Sequence, residues 1–136
     1  MSDRYLAIKV VMMPRDTNPQ GTIFGGVLLS YIDQAAAIGA LHEIHVRGGR
    51  APMIVTVAMN RIEFHQPVQI GDVLSFYSEF VRIGRTSITV KVIVEAERKH
   101  TVLGVTEAEV VYVVIDPVTR KPIPILPEQT SKPGAP

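Results

Sequence analysis

Apolar and polar positions along the chain change period several times, and each change marks an element. Leu6, Ile8, Val10 and Met12 alternate with Ala7, Lys9 and Val11, the period of a strand, and Pro14 closes it. Pro14 to Gly21 is dense in Pro, Asp, Asn and Gly, residues that set or tolerate turn geometry, and predicts a loop. From Val27 to Leu41 only Ser30, Asp33 and Gln34 interrupt an apolar surface that extends almost all the way round. That pattern predicts a helix buried on several sides, starting at Gly25-Gly26 and ending near His42 to His45. Arg47-Gly48-Gly49-Arg50 is the next break. From Met53 onward the period falls to two, and Ile54 to Phe64, Val73 to Ile83, Thr86 to Glu97 and Val102 to Ile115 read as β-branched or aromatic strands. In the third of these, Ile88, Val90, Val92 and Val94 share one face, while Ser87, Thr89, Lys91 and Glu95 take a wetter one. Pro67 with Gly71-Asp72, Gly84-Arg85 and Lys99-His100 supply the turns.

The order strand, long helix, four antiparallel strands predicts an α+β fold in which the sheet wraps its single helix and only one sheet face is covered. Long strands with exposed edges predict a homo-oligomer, paired edge to edge or face to face. After Asp116 come Pro117, Pro122, Pro124, Pro127, Pro133 and Pro136, so this end is expected to run as an extended tail along the surface. The domain is expected to cover residues 1–127, with 128–136 a proline-rich flexible tail.

Composition narrows the function classes. At 136 residues and 46% hydrophobic content the chain has apolar material for one core and no room for a second domain. Fourteen basic and 13 acidic residues leave a net charge of +1, so no strong field draws it to nucleic acid or an anionic membrane, and neither is expected as a partner. Without cysteine there is no disulfide framework, thiolate metal site or cysteine nucleophile, which fits a reducing cytoplasm. The early apolar run is too short for a signal or membrane segment. His42 and His45 lie three apart near the helix end, but no third ligand is suitably spaced, so no metal is expected.

Asp33 is the residue that asks for a reason. An ionised carboxylate left without a partner costs roughly 3–5 kcal/mol to bury, so core helices normally exclude it. Gly26, Leu29 and Ser30 fall on its stripe, which points the acid back toward the helix start. There, free N–H groups of the first turn and the positive end of the macrodipole favour developing negative charge. Gly25 and Gly26 would let a substrate approach that backbone closely. On spacing alone a second account stands equally: a hydrogen-bonded core acid, and two glycines that merely permit a tight turn.

The segment N-P-Q-G-T-I-F-G-G, with Asp33 seven residues beyond it, resembles the hot-dog-fold acyl-CoA thioesterases of the YciA and brain acyl-CoA hydrolase group. The likeness continues through F-H-Q-P-V-Q-I-G-D (Phe64 to Asp72), I-G-R-T-S-I-T-V (Ile83 to Val90) and T-E-A-E-V-V-Y-V-V-I-D (Thr106 to Asp116), covering about Met12 to Pro127 in order. It implies a hot-dog fold, an antiparallel sheet wrapped around one long central helix, and hydrolysis of acyl-CoA to a carboxylic acid and coenzyme A. No cofactor is implied, coenzyme A being part of the substrate. Many members carry His before the two glycines; Phe24 stands here, as in the bacterial YciA branch, and excludes a His mechanism at that position. The single hot-dog unit implies a homodimer as the minimal active unit and a trimer of such dimers.

The resemblance further implies Asp33 as general base toward water, or as nucleophile through a mixed anhydride. It makes Asn18 a catalytic amide reaching across the dimer interface, with donor and acceptor on one side chain, though Asn-Pro is otherwise commonly a turn. The N–H of Gly26 is the expected oxyanion donor. The leaving thiolate, with a thiol pKa of only about 8.5, needs little acid help. Gly84, Arg85, Thr86 and Ser87 are expected as the coenzyme-A loop, with Arg61, then Arg98 and Lys99, as further phosphate candidates. Phe24, Met53 and Met59 are either acyl-tunnel lining or core filler. Two alternatives remain: an acyl-thioester dehydratase or hydratase on the same fold, and a non-catalytic acyl-CoA-binding module.

Overall fold

A computed structural model describes residues 3–127 of the chain. Strand β1 (Tyr5–Val11) leads through a 3-10 turn (Pro14–Asp16) to helix α1 (Gly25–Val46). Strands β2 (Ile54–Phe64), β3 (Val73–Ile83), β4 (Ser87–Arg98) and β5 (Thr101–Val114) follow. They form one antiparallel sheet in the order β1-β3-β4-β5-β2, leaving β1 and β2 as edges. This is the arrangement that the resemblance implies.

The helix lies against one face of the sheet. Leu28, Ile32, Ala35, Ala36, Gly39, Ala40 and Ile44 are buried along α1, and the inward rows of the sheet meet them. Those rows run Ile88↔Tyr112, Val90↔Val110 and Val92↔Ala108 across β4 and β5, each residue buried. Small residues in the middle of α1 let the axis come close: a Cβ on Gly39 would lie 2.0 Å from Ser78 Oγ. The far face is not uniformly wet, however. Thr89 and Ile93, placed on it by alternation, are 3% and 8% exposed, since β4 is flanked on both sides by long strands and their side chains shield it.

Two chain reversals carry the register. Lys99 and His100 both have positive φ, 51° and 66°, as a two-residue turn between the paired Arg98 and Thr101 requires. At the same end of the sheet, Asp72 closes the turn before β3. Its carboxylate accepts from Gln69 N–H (2.9 Å) and from Arg98 Nε (2.9 Å) and Nη2 (2.8 Å).

The end of the chain departs from the surface tail expected from its prolines. Ile115 bridges to Pro122, Ile125 is 1% exposed, and its N–H and C=O bond to Arg85 C=O and Arg50 N–H. The prolines enforce an extended path, and the isoleucines between them supply apolar side chains that the core takes up. The expected tail 128–136 lies outside the described residues.

Candidate active site

Asp33 sits in the third turn of α1, half-buried, and faces the end of the sheet where β2 and β5 pair. Its Oδ1 accepts from Thr56 Oγ1 at 2.9 Å and from Tyr112 Oη at 2.8 Å, and the same phenol lies 2.6 Å from the Asp33 main-chain carbonyl. Thr56 and Tyr112 are cross-strand partners, which is why one carboxylate oxygen meets both hydroxyls. Tyr112 is 1% exposed. Burial first, and then the hydrogen bond to Asp33, push its phenol well above the ordinary value, so it stays protonated and donates. Oδ2 receives no hydrogen bond, and no partnerless side-chain oxygen among the described residues is buried, so Oδ2 opens to solvent.

The helix start is equally open. Val27 and Leu28 N–H turn back to Phe24 C=O, whereas the N–H groups of Gly25 and Gly26 donate to no described residue. A Cβ on either glycine would meet nothing within 4 Å. Each glycine borders a hollow. Gly26 lines one of about 570 Å³ with Asp16, Phe24, Val27, Ser30, Tyr31 and Gln34. Gly25 lines one of about 230 Å³ with Leu28, Phe64 and His65 among its walls. Phe24 is thus at the helix mouth rather than in the core, at 55% exposure. Met59 packs at the core margin and Met53 lies against Arg120. His65, just beyond β2, borders the smaller hollow.

Asn18 belongs to a different local network. Its Oδ1 accepts from Gln20 N–H (2.9 Å) and Thr22 N–H (3.1 Å), and its Nδ2 donates to Thr22 Oγ1 (2.9 Å). Both carbonyl lone pairs are therefore used in shaping the loop, leaving one amide hydrogen, so the side chain offers a donor and not the donor-acceptor pair expected from its chemistry. Within one chain Asn18 and Asp33 do not bond to each other.

Gly84, Arg85 and Thr86 form the β3–β4 turn, in which Gly84 N–H donates to Ser87 C=O at 2.7 Å. The carbonyls of Arg85 and Thr86 accept from Ile125 and Val114 N–H, which pins the turn to the chain end and to β5. Ser87 pairs with Val113, one residue from Tyr112, so this turn flanks the Asp33 end of the sheet. Arg61 is elsewhere. It stands at an irregularity in β2 with φ 58° and shares a depression of about 110 Å³ with Lys91, Glu107 and Glu109 on the face away from the helix. Lys91 lies four residues along β4 from Ser87, roughly 13 Å at the rise of a strand, so one chain does not bring Arg61 to the Gly84 turn. Arg98 is committed to Asp72 and to Pro67 C=O. His42 stacks on Tyr5 at 3.9 Å between ring centroids, and among the described residues no three His, Asp or Glu side chains group as a metal site.

Known proteins give this geometry a family. Residues 20–103 match the Thioesterase superfamily. The chain belongs to that superfamily. An uncharacterized acyl-CoA thioester hydrolase of Zymomonas mobilis is 45% identical over 63% of this chain, a match spanning only 54% of that relative's length. The YciA acyl-CoA thioester hydrolase of Salmonella typhimurium is 36% identical over 88% of this chain and 90% of its own. Among solved structures, a hexameric hotdog fold thioesterase of Campylobacter jejuni is 42% identical, covers 88% of this chain and 89% of its own, and superimposes with a TM-score of 0.77. The sheet and central helix of this chain are accordingly those of a hot-dog fold. Thr56 and Tyr112 were the residues missed from sequence. Their signal, a hydroxyl at an inward strand position, recurs along the chain, and only the β2–β5 register selects these two.

Proposed function

We propose that the protein hydrolyses acyl-CoA to a free carboxylic acid and coenzyme A, with Asp33 activating the attack through its open oxygen. The observation that carries this reading is the asymmetry of the Asp33 carboxylate: Oδ1 is held by two hydroxyls while Oδ2 is unpartnered and not sealed from solvent. In the general-base form Oδ2 takes a proton from water as it attacks the thioester carbonyl; in the nucleophilic form Oδ2 itself attacks, and water then opens the anhydride. The Gly26 N–H, unbonded and at the positive end of α1, would receive the oxyanion. Coenzyme A leaves as a thiolate, for which no histidine is needed.

Asn18 would donate its remaining amide hydrogen to a substrate held by a neighbouring chain, which makes a homodimer the smallest active unit. Support for an assembly comes from the two open sheet edges and from exposed Ile38, Leu41 and Val46 on α1 and Val57 on β2. The relative from Campylobacter is hexameric, and we extend a trimer of dimers to this chain. Gly84, Arg85, Thr86 and Ser87 would face the coenzyme-A moiety, being adjacent to the Asp33 end of the sheet. Arg61, on the outer face, would serve a coenzyme A bound by a neighbouring protomer. No described helix is long and apolar enough to cross a membrane.

Thiol release from a panel of acyl-CoAs tests the reading. Asp33→Asn should retain ligand binding while turnover falls by at least about 10²-fold, the scale on which general-base loss acts. Turnover like that of the unaltered protein would remove Asp33 from the chemistry. If neither protein releases thiol from any member of a panel that it binds, the chain is a binding module.

A further inference from the structure

We propose that Thr56 and Tyr112 are positioning residues for the hydrolysis, together clamping Oδ1 of Asp33 so that Oδ2 is presented to the reacting water or carbonyl. The inference rests on the assignment of Asp33 as the acting carboxylate. A carboxylate on a helix has two soft torsions, and a base that must meet its proton within hydrogen-bond reach gains from having them fixed. Two donors on one oxygen, at 2.9 and 2.8 Å, fix the plane of the carboxylate. The 2.6 Å approach of the Tyr112 phenol to the Asp33 carbonyl grips side chain and main chain of the same residue.

The sheet is built around this clamp. Tyr112 is carried by β5, an interior strand, in a row with buried Ile88, so its ring has no freedom to withdraw. Thr56 is carried by edge strand β2, directly before a register shift between Thr56 and Ala58 that leaves Val57 as the extra residue, 54% exposed. A bulge re-aims its neighbours, and here it follows the β2 residue whose hydroxyl reaches Asp33. The two halves also differ in what removing them leaves. Tyr112→Phe keeps the ring in the core and loses only the hydroxyl, while Thr56→Val keeps the β-branched shape. Neither creates a cavity.

The experiment measures kcat and KM for thiol release from one good acyl-CoA substrate in Thr56→Val, Thr56→Ser and Tyr112→Phe, alone and combined with Asp33→Asn. We expect kcat to fall about tenfold in Thr56→Val and in Tyr112→Phe, the size of one hydrogen bond acting at the transition state, with KM changed by less than about twofold. Thr56→Ser, which keeps the hydroxyl, should recover most of the lost rate. In the Asp33→Asn background neither further substitution should slow the residual rate, because residues that act through Asp33 have nothing left to orient. The proposal is overturned if Asp33→Asn is inactive while Thr56→Val and Tyr112→Phe keep their kcat, or if Thr56→Ser is as slow as Thr56→Val. Should Tyr112→Phe fail to fold, Thr56→Val and Thr56→Ser decide the matter alone, since Thr56 lies on an edge strand and is itself exposed. Unaltered turnover in Asp33→Asn is a separate result, which would sink the carboxylate assignment itself.

Discussion

Two carboxylates in this chain leave water for opposite purposes, and their partners tell them apart. Asp33 meets neutral hydroxyls that leave one oxygen open, as an acid that must accept a proton requires. Asp72, 2% exposed, meets a guanidinium through both oxygens and a backbone N–H as well. The Arg98 hydrogen bonds, opposed by burial and aided by Gln69 N–H, hold the Asp72 carboxyl below the usual carboxylate range. A depressed folded-state pKa contributes stability above the unfolded value of about 3.9 and loses it as pH falls through the folded value. Arg98→Met should therefore cost about 3 kcal/mol at pH 7, by leaving Asp72 charged, buried and unpaired. The deficit against the parent should shrink below about pH 4, where the unfolded carboxyl is protonated and the pair's advantage fades. Urea unfolding at the two pH values measures it, and a deficit independent of pH would mean that Arg98 contributes by packing alone.

At the scale of elements, helix and sheet come too close at Gly39 against β3 to admit a Cβ. An alanine there would put its Cβ 2.0 Å from Ser78 Oγ and 2.4 Å from Ser78 Cβ, and Ser78 is itself buried. Gly39→Ala should destabilise by about 1–3 kcal/mol, the range for overpacking, despite alanine's better helix propensity. Adding Ser78→Gly should return part of the loss in thermal unfolding, and no recovery would place the strain elsewhere. Gly39 also shows the limit of reading elements from sequence. Period and turn residues located β2 and β3 to the residue, and β4, β5 and the start of α1 within one, because alternation and the Gly-Gly break are local signals. Which inward residues would touch is not local. The pairing that sets Tyr112 beside Thr56, and both against Asp33, depends on a register shift in β2 that no residue type announces. The chain end misled for a related reason: its prolines advertise an extended path, while the burial of Ile125 is settled only by where Ile44 and Gly49 come to lie.

At the scale of the whole molecule, one chain holds the parts of a site without assembling them. Asp33 and the Gly84 turn share one end of the sheet, whereas the helix start with the open N–H of Gly26 lies toward the other, where Gly25 shares a hollow with Phe64 and His65, and Asn18 spends its carbonyl on its own loop and keeps a single donor. If that donor serves the partner's Asp33, each site in a two-fold dimer takes its acid from one chain and its amide from the other. Complementation then has a definite outcome. Asp33→Asn and Asn18→Ala proteins, each nearly inactive alone, are co-expressed with different tags and the mixed species is isolated. In a mixed dimer one site inherits both substitutions and the other inherits neither. Random pairing of equal amounts should return about a quarter of the parent's sites, and purified mixed dimers about half, with KM at the parent value. Chains that act alone would regain nothing on mixing, because every acid would still sit with its own chain's amide. Kinetics at saturating substrate separates these outcomes without reference to the number of dimers in the assembly.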